Sequence, residues 1–132
     1  MLNVVIQKMV YHSNMILILT ENIPSKKNSR ISTRSGKNFP SKDYTRWHKM
    51  ASLELKIQNR PLKPLEIIKE IIIHIFFPTK RKADITNKVE SVMDLLVDNG
   101  ILLDDNYMVC PNLNLSGSYR KNQAGAHIEI IF

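Results

Sequence analysis

Apolar positions recur with two different periods along this chain, and the switches between them mark its elements. Between residues 85 and 98, Ile85, Val89, Val92, Met93 and Leu96 fall within one stripe at about 100° per residue, the pattern of an amphipathic helix. Asn87, Ser91, Asp94 and Asp98 gather on the opposite side, and Asn99-Gly100 supplies residues that readily take the left-handed conformation ending a helix. The spacing predicts a helix over residues 86–98, with Thr86 as N-cap, Asp84 just outside it and Glu90 in its first turns. An earlier helix is expected over residues 41–58, where Ser41 can cap and Tyr44, Trp47, His48, Ala51 and Leu55 recur at helical spacing.

Strand patterns separate these helices. Residues 15–19 form a short run rich in branched side chains, and residues 66–77 contain an unbroken apolar stretch from 71 to 77 that reads as a central strand covered on both faces and stopped by Pro78. Residues 107–115 alternate, with Pro111 confining them to a sheet edge, and residues 126–132 alternate around His127 and Glu129. The last two runs are expected to pair as an antiparallel hairpin. The order β, α, β, α, β, β is that of an α+β domain, a mixed four-stranded sheet packed with two helices.

With 132 residues and 43% hydrophobic content, one domain with a modest core is expected, residues 14–132, preceded by an N-terminal extension over 1–13. The 19 Lys and Arg against 12 Asp and Glu leave a formal charge of +7, which favours a polyanionic partner. Nucleic acid is the simpler choice than a membrane surface, because no basic amphipathic helix with an aromatic face stands out. No segment is long enough to cross a bilayer, and Asn3, Gln7 and Lys8 make the first residues too polar for a signal peptide, so a cytoplasmic location is expected. Cys110 is the one cysteine; intrachain disulfides are excluded, and a buried, inert thiol is the expectation.

Candidate chemistry concentrates in residues 80–106. Asp84 and Glu90 lie near the positive end of the predicted helix dipole. About thirteen helical residues span about 20 Å, and an extended return from Gly100 to Asp105 covers about 16 Å, so Asp105, or Asp104, can approach Asp84. Converging carboxylates repel unless a cation joins them, and oxygen-only sites hold hard divalent ions such as Mg²⁺. The neighbouring Lys80-Arg81-Lys82 suits a phosphate. The bland readings are a solvated polar face for Asp94 and Asp98, a cap for Asp84 and a turn at residues 104–106.

The ordered set Lys80-Arg81-Lys82, Asp84-Ile85-Thr86-Asn87, Asp94-Leu95-Leu96, Gly100 and Asp104-Asp105 resembles the RusA-type Holliday junction endonucleases. That resemblance implies catalytic carboxylates at Asp84 and Asp105, a homodimer and branched DNA as substrate. Two positions depart from the family pattern: its second motif Asp is Thr86 here, and its catalytic Lys is Glu90. Glu90 lies one helical turn from Thr86 and can supply the missing carboxylate, and Lys82 or Lys88 can supply the missing ammonium. The expected metal set is Asp84, Asp105 and Glu90, holding Mg²⁺ with Mn²⁺ as the alternative.

Further candidates for DNA contact are Lys26, Lys27, Asn28, Arg30, Arg34 and Lys37 in a basic, turn-rich stretch, together with Lys80, Arg81, Asn87, Arg120 and Lys121. Pro24, Ser25 and Asn28 are similar to the Pro, small residue and Asn of the family's N-terminal loop. Trp47 reads as core, or as a wedge between bases at a branch point, and His48 and His74 as packed residues. The expected function is a Mg²⁺-dependent, structure-selective endonuclease resolving four-way junctions. Thr86 and Glu90 support an alternative, a junction-binding protein with impaired catalysis, and a nuclease of RNA or linear duplex is a third reading.

Overall fold

The structure is a computed structural model and describes residues 13–25, 30–32, 36 and 38–132. Among these residues the chain forms, in order, β1 (Asn14–Leu19), β2 (Arg30–Ser32), β3 (Asn38–Pro40), α1 (Lys42–Lys56), β4 (Glu70–Phe77), α2 (Ile85–Asp98), β5 (Leu113–Tyr119) and β6 (Gly125–Ile131). The mixed four-stranded sheet with two helices matches the α+β expectation, with strand order β1-β6-β4-β5. The short β2–β3 ribbon is additional, in a stretch that composition presents as loop.

The expected terminal hairpin does not form. β6 lies between β1 and β4, antiparallel to both, whereas β5 runs parallel to β4 on the far edge, reached through α2. A period of two shows which face a strand buries and says nothing about its neighbour. The edge position of β5 was read correctly, but Pro111 precedes the strand, and Ser116 to Tyr119, read as connection, belong to it. An edge strand tolerates this polar sequence because one side of it needs no partner.

β4 is not covered on both faces either. Ile71, Ile73 and Ile75 are buried, while Ile72, His74 and Phe76 are half-buried on the other side. Leu17 and Leu19 of β1 and Ala126, Ile128 and Ile130 of β6 complete the covered face, against which both helices pack. Ile16 and Ile18, each about half exposed, mark the open face. His74 sits there with Nδ1 2.6 Å from Ser116 Oγ and Nε2 2.8 Å from Ser118 Oγ.

The outer edge of β1 is sealed by α1. Gln58 accepts from the Ile18 amide and donates to the Ile18 carbonyl, both at 2.7 Å, and Glu54 accepts from the Thr20 amide and hydroxyl. These side chains occupy the hydrogen-bonding groups that another strand would need.

Ser41 caps α1 as expected, its hydroxyl accepting from the Tyr44 amide. Trp47 is 2% exposed beneath this helix, with Tyr44 at 5.8 Å between ring centroids, so the wedge reading is corrected: a buried ring cannot reach a base stack. His48 Nε2 lies 2.9 Å from Asp98 Oδ2, tying α1 to α2. The start of α2 is also corrected, because Asp84, rather than Thr86, is the N-cap and accepts from the Thr86 amide at 3.0 Å. At its other end Gly100 adopts φ +69°, with Gly100 N–H donating to Val97 and Ile101 N–H to Leu96, a Schellman termination.

Ser91 departs from its predicted solvent-facing position. It is fully buried and donates to the Pro24 carbonyl at 2.6 Å, while Lys88 donates to the Ile23 carbonyl. The segment leaving β1 is thus fastened to α2 at two successive residues.

Candidate phosphodiester site

Two adjoining clefts lie between α2 and the covered side of β5. In the first, a cavity of about 490 Å³, Thr86, Glu90 and Asp94 come from one side of α2, with Asp105 from the following loop and Leu113 and Leu115 from β5. Thr86, Glu90 and Asp94 are spaced by four residues, so they stack along one side of the helix.

Asp105 reaches this cavity because the chain after α2 is held down. Ile101 and Leu102 are buried, and Leu65 brackets them by accepting from the Leu103 amide and donating to the Ile101 carbonyl. The next residues form a braced turn. Asp104 accepts from the Asp105 amide at 2.7 Å and from the Asn106 side chain at 3.1 Å, and Asn106 in turn accepts from the Met108 and Val109 amides. Asp104 is therefore a structural acid, its carboxyl held below the usual range first by the Asp105 amide. Asp105 has the opposite bias: desolvation, then Asp104, then the more distant charge of Asp94, push its carboxyl upward.

Asp84 meets the cavity through Thr86. Its Oδ1 accepts from both the Thr86 amide and the Thr86 hydroxyl, the latter at 2.6 Å. Where the resemblance leads one to expect a carboxylate, the cavity wall carries a hydroxyl bound to the neighbouring carboxylate. Lys88 is directed elsewhere, to the Ile23 carbonyl, with burial lowering its pKa and its ammonium 5.9 Å from the Phe77 ring. Lys82 is exposed beside Asp84, and Asn87 is half-buried in the first turn of α2.

Asp94 is the acid that sequence reasoning misplaced. The i, i+4 relation linking Thr86 to Glu90 extends by one more turn to Asp94, which lines the cavity rather than merely facing solvent. Cys110 is buried at the same wall, its thiol pKa raised by desolvation, consistent with an inert group. Among the described residues no group of three or more His, Cys, Asp or Glu side chains is disposed as a ready metal cluster. The donor set itself, carboxylates and a hydroxyl with the buried thiol kept protonated, fits a hard divalent cation by chemistry. The upward shift of Asp105 comes first from desolvation and only then from its acidic neighbours Asp104 and Asp94.

The second cleft, of about 530 Å³, is lined by Phe77, Lys80, Arg81, Ala83, Gly117 and Tyr119 among others. Lys80 lies 5.3 Å from the Tyr119 ring centroid, and Arg120 lies 4.4 Å from that of Phe76 at the same end of the sheet. Lys121 is exposed nearby. Lys26, Lys27, Asn28, Arg34 and Lys37 lie outside the described residues, and of Arg30 only the backbone, paired with Pro40, is described.

A cavity lined by carboxylates beside a cluster of cations and aromatic rings has chemistry compatible with a phosphodiester strand. The family comparison says which kind. The chain matches the family described as Endodeoxyribonuclease RusA over residues 22–131, and it belongs to that family, DNA endonucleases that act on branched junctions. Comparison with curated proteins gives no match.

Proposed function

We propose that this protein is a divalent-metal-dependent endonuclease that nicks four-way DNA junctions, acting as a homodimer. The observation that carries the reading is the cavity lined by Asp105, Glu90 and an Asp84-bound Thr86, in a chain of the RusA family. Asp105 and Glu90 would hold the cation, with Asp84 supporting the site through the Thr86 hydroxyl and Asp94 adding negative field. When bound, a divalent ion supplies Lewis-acid polarisation of the phosphate and a water of lowered pKa, and Mg²⁺ or Mn²⁺ suits these donors. Lys82 would offset the charge that develops on the phosphoryl oxygens, and Asn87 would orient the first turn of α2. Lys80, Arg81, Arg120 and Lys121 would grip the strand.

The homodimer reading draws support from the open face of the sheet, where Ile16 and Ile18 of β1 stand about half exposed and Ile72 and Phe76 of β4 half-buried, with Glu129 and His127 of β6 between them. Two active sites related by a twofold axis suit a substrate that needs two matched cuts. No helix among the described residues is long and apolar enough to cross a membrane.

A second reading, junction binding without cleavage, is favoured by Thr86 and Glu90, which stand where the family has Asp and Lys. One assay separates the two: a labelled four-way junction is incubated with protein in Mg²⁺, in Mn²⁺ and in chelator, and scored for retention and for nicks. Paired nicks that require metal, and that vanish with Asp105→Asn while retention persists, are the expected result. Retention without nicks in either metal overturns the nuclease reading in favour of binding alone.

A further inference from the structure

We infer that the second cleft seats one unstacked nucleobase of a DNA strand whose adjoining phosphate lies at the acidic cavity. The inference rests on reading that cavity as a phosphodiester site. Three observations carry it.

The first is chemistry. The cleft offers two aromatic rings, Phe77 and Tyr119, and two cations, Lys80 and Arg81, with no carboxylate among its lining residues. Its lining therefore rejects a cationic ligand and suits a flat, apolar-faced group tethered to an anion, which is the chemistry of a nucleotide. Tyr119 is 44% exposed, with the Lys80 ammonium 5.3 Å from the centroid of its ring. Lys80 near the same ring can hold a phosphate flanking the stacked base.

The second is the bare backbone at Gly117. A Cβ there would stand 2.8 Å from Phe77 Cε2 and 3.2 Å from Ile85 Cδ1. The missing side chain lets the Phe77 ring lie against β5 and form a wall of the cleft rather than being displaced into it.

The third is position. Leu113 and Leu115 line the acidic cavity, and Gly117 and Tyr119, on the same side of the same strand, line the aromatic one. Successive steps of two residues along β5 cover about 6.6 Å, the scale of one extended nucleotide. Ala83 and Ile85, on either side of Asp84, also face the second cleft. A strand lying along β5 thus meets the carboxylates at one nucleotide and the rings at the next. Fully paired duplex keeps its bases stacked, so a seat of this kind rewards a substrate whose bases are already loosened, as at a branch point.

The test uses fluorescence anisotropy with a labelled short oligothymidylate and an abasic strand of the same length and charge, in chelator. Wild-type protein is expected to prefer the base-bearing strand by roughly five- to a hundredfold, the range for one stacked base. Tyr119→Ala should remove most of that preference and leave abasic binding unchanged, which also shows the variant is folded; Tyr119→Phe should retain it. Equal affinity for the two strands, an undiminished preference in Tyr119→Ala, or no binding of either strand overturns the inference. The junction assay reads the nuclease proposal separately. Cleavage without base preference sinks the base seat alone, and base preference without cleavage sinks the nuclease alone.

Discussion

Asp84 does two things whose energetics can be separated. As the N-cap of α2 it accepts from the Thr86 amide and hydroxyl, and under the proposed function its charge would also serve the cavity that Thr86 lines. Asn serves as an N-cap nearly as well as Asp, whereas Ala costs about 0.5–2 kcal/mol. Asp84→Asn is therefore expected to melt close to the wild type yet lose junction cleavage, while Asp84→Ala loses both; equal melting of the two variants would remove Asp84 from the cap. Asp105 gives a second prediction through its raised carboxyl. A carboxyl raised on folding contributes stability that is full below the ordinary Asp value of about 3.9 and is lost as pH rises through the raised value. At neutral pH without metal the ionised group is a burden. Asp105→Asn should accordingly raise the melting temperature in chelator at pH 7, with the gain shrinking toward pH 4, and should abolish stabilisation by Mg²⁺. A melting temperature lower than wild type at pH 7 would contradict this. The motif made Asp84 and Asp105 visible in the sequence. Ser91 and Lys88 were opaque because their partners, the carbonyls of Pro24 and Ile23, lie more than sixty residues away.

At the level of elements, both helices were legible to within a few residues because a 3.6-residue stripe and a capping side chain are local signals. Strand pairing was not, since it is decided by contacts between distant segments. The β1–β6 pairing instead depends on a detail that a one-residue pattern hides, Gly125 at the start of β6. Its φ of +119° is open to glycine and strained for other residues, and a Cβ there would lie 1.9 Å from the Leu19 carbonyl oxygen. Gly125→Ala forces either that backbone or β1 to move, and strain of about 1–3 kcal/mol should lower the melting temperature by on the order of 5–10 °C. An unchanged transition would mean that the β1–β6 junction relaxes freely. At Gly36, where a Cβ meets nothing within 4 Å, only the positive φ opposes the same substitution.

For the whole molecule, the four-stranded sheet is one-sided. The helices cover one face, and the other presents Ile16 and Ile18 on β1 and Ile72 and Phe76 flanking His74 on β4, with His127 and Glu129 of β6 between the two groups. If that face joins two copies, Ile18→Lys, at a half-exposed position, should leave the fold intact and convert a dimer to monomer in sedimentation, with junction cleavage falling in step. A dimer that persists would move the interface elsewhere. The hydrophobic pattern alone concealed this face, because an unbroken run in β4 looks the same whether its second side meets helices or water.

The two rims of the sheet are unlike. One is stoppered by Gln58 and Glu54 on β1, whereas β5 has a strand neighbour on one side only among the described residues. In the language of polymerisation, the four-stranded sheet has, among the described residues, a strand-pairing valence of one. Two such sheets joined rim to rim would exhaust it, whereas a fibre grown through this sheet needs a valence of two.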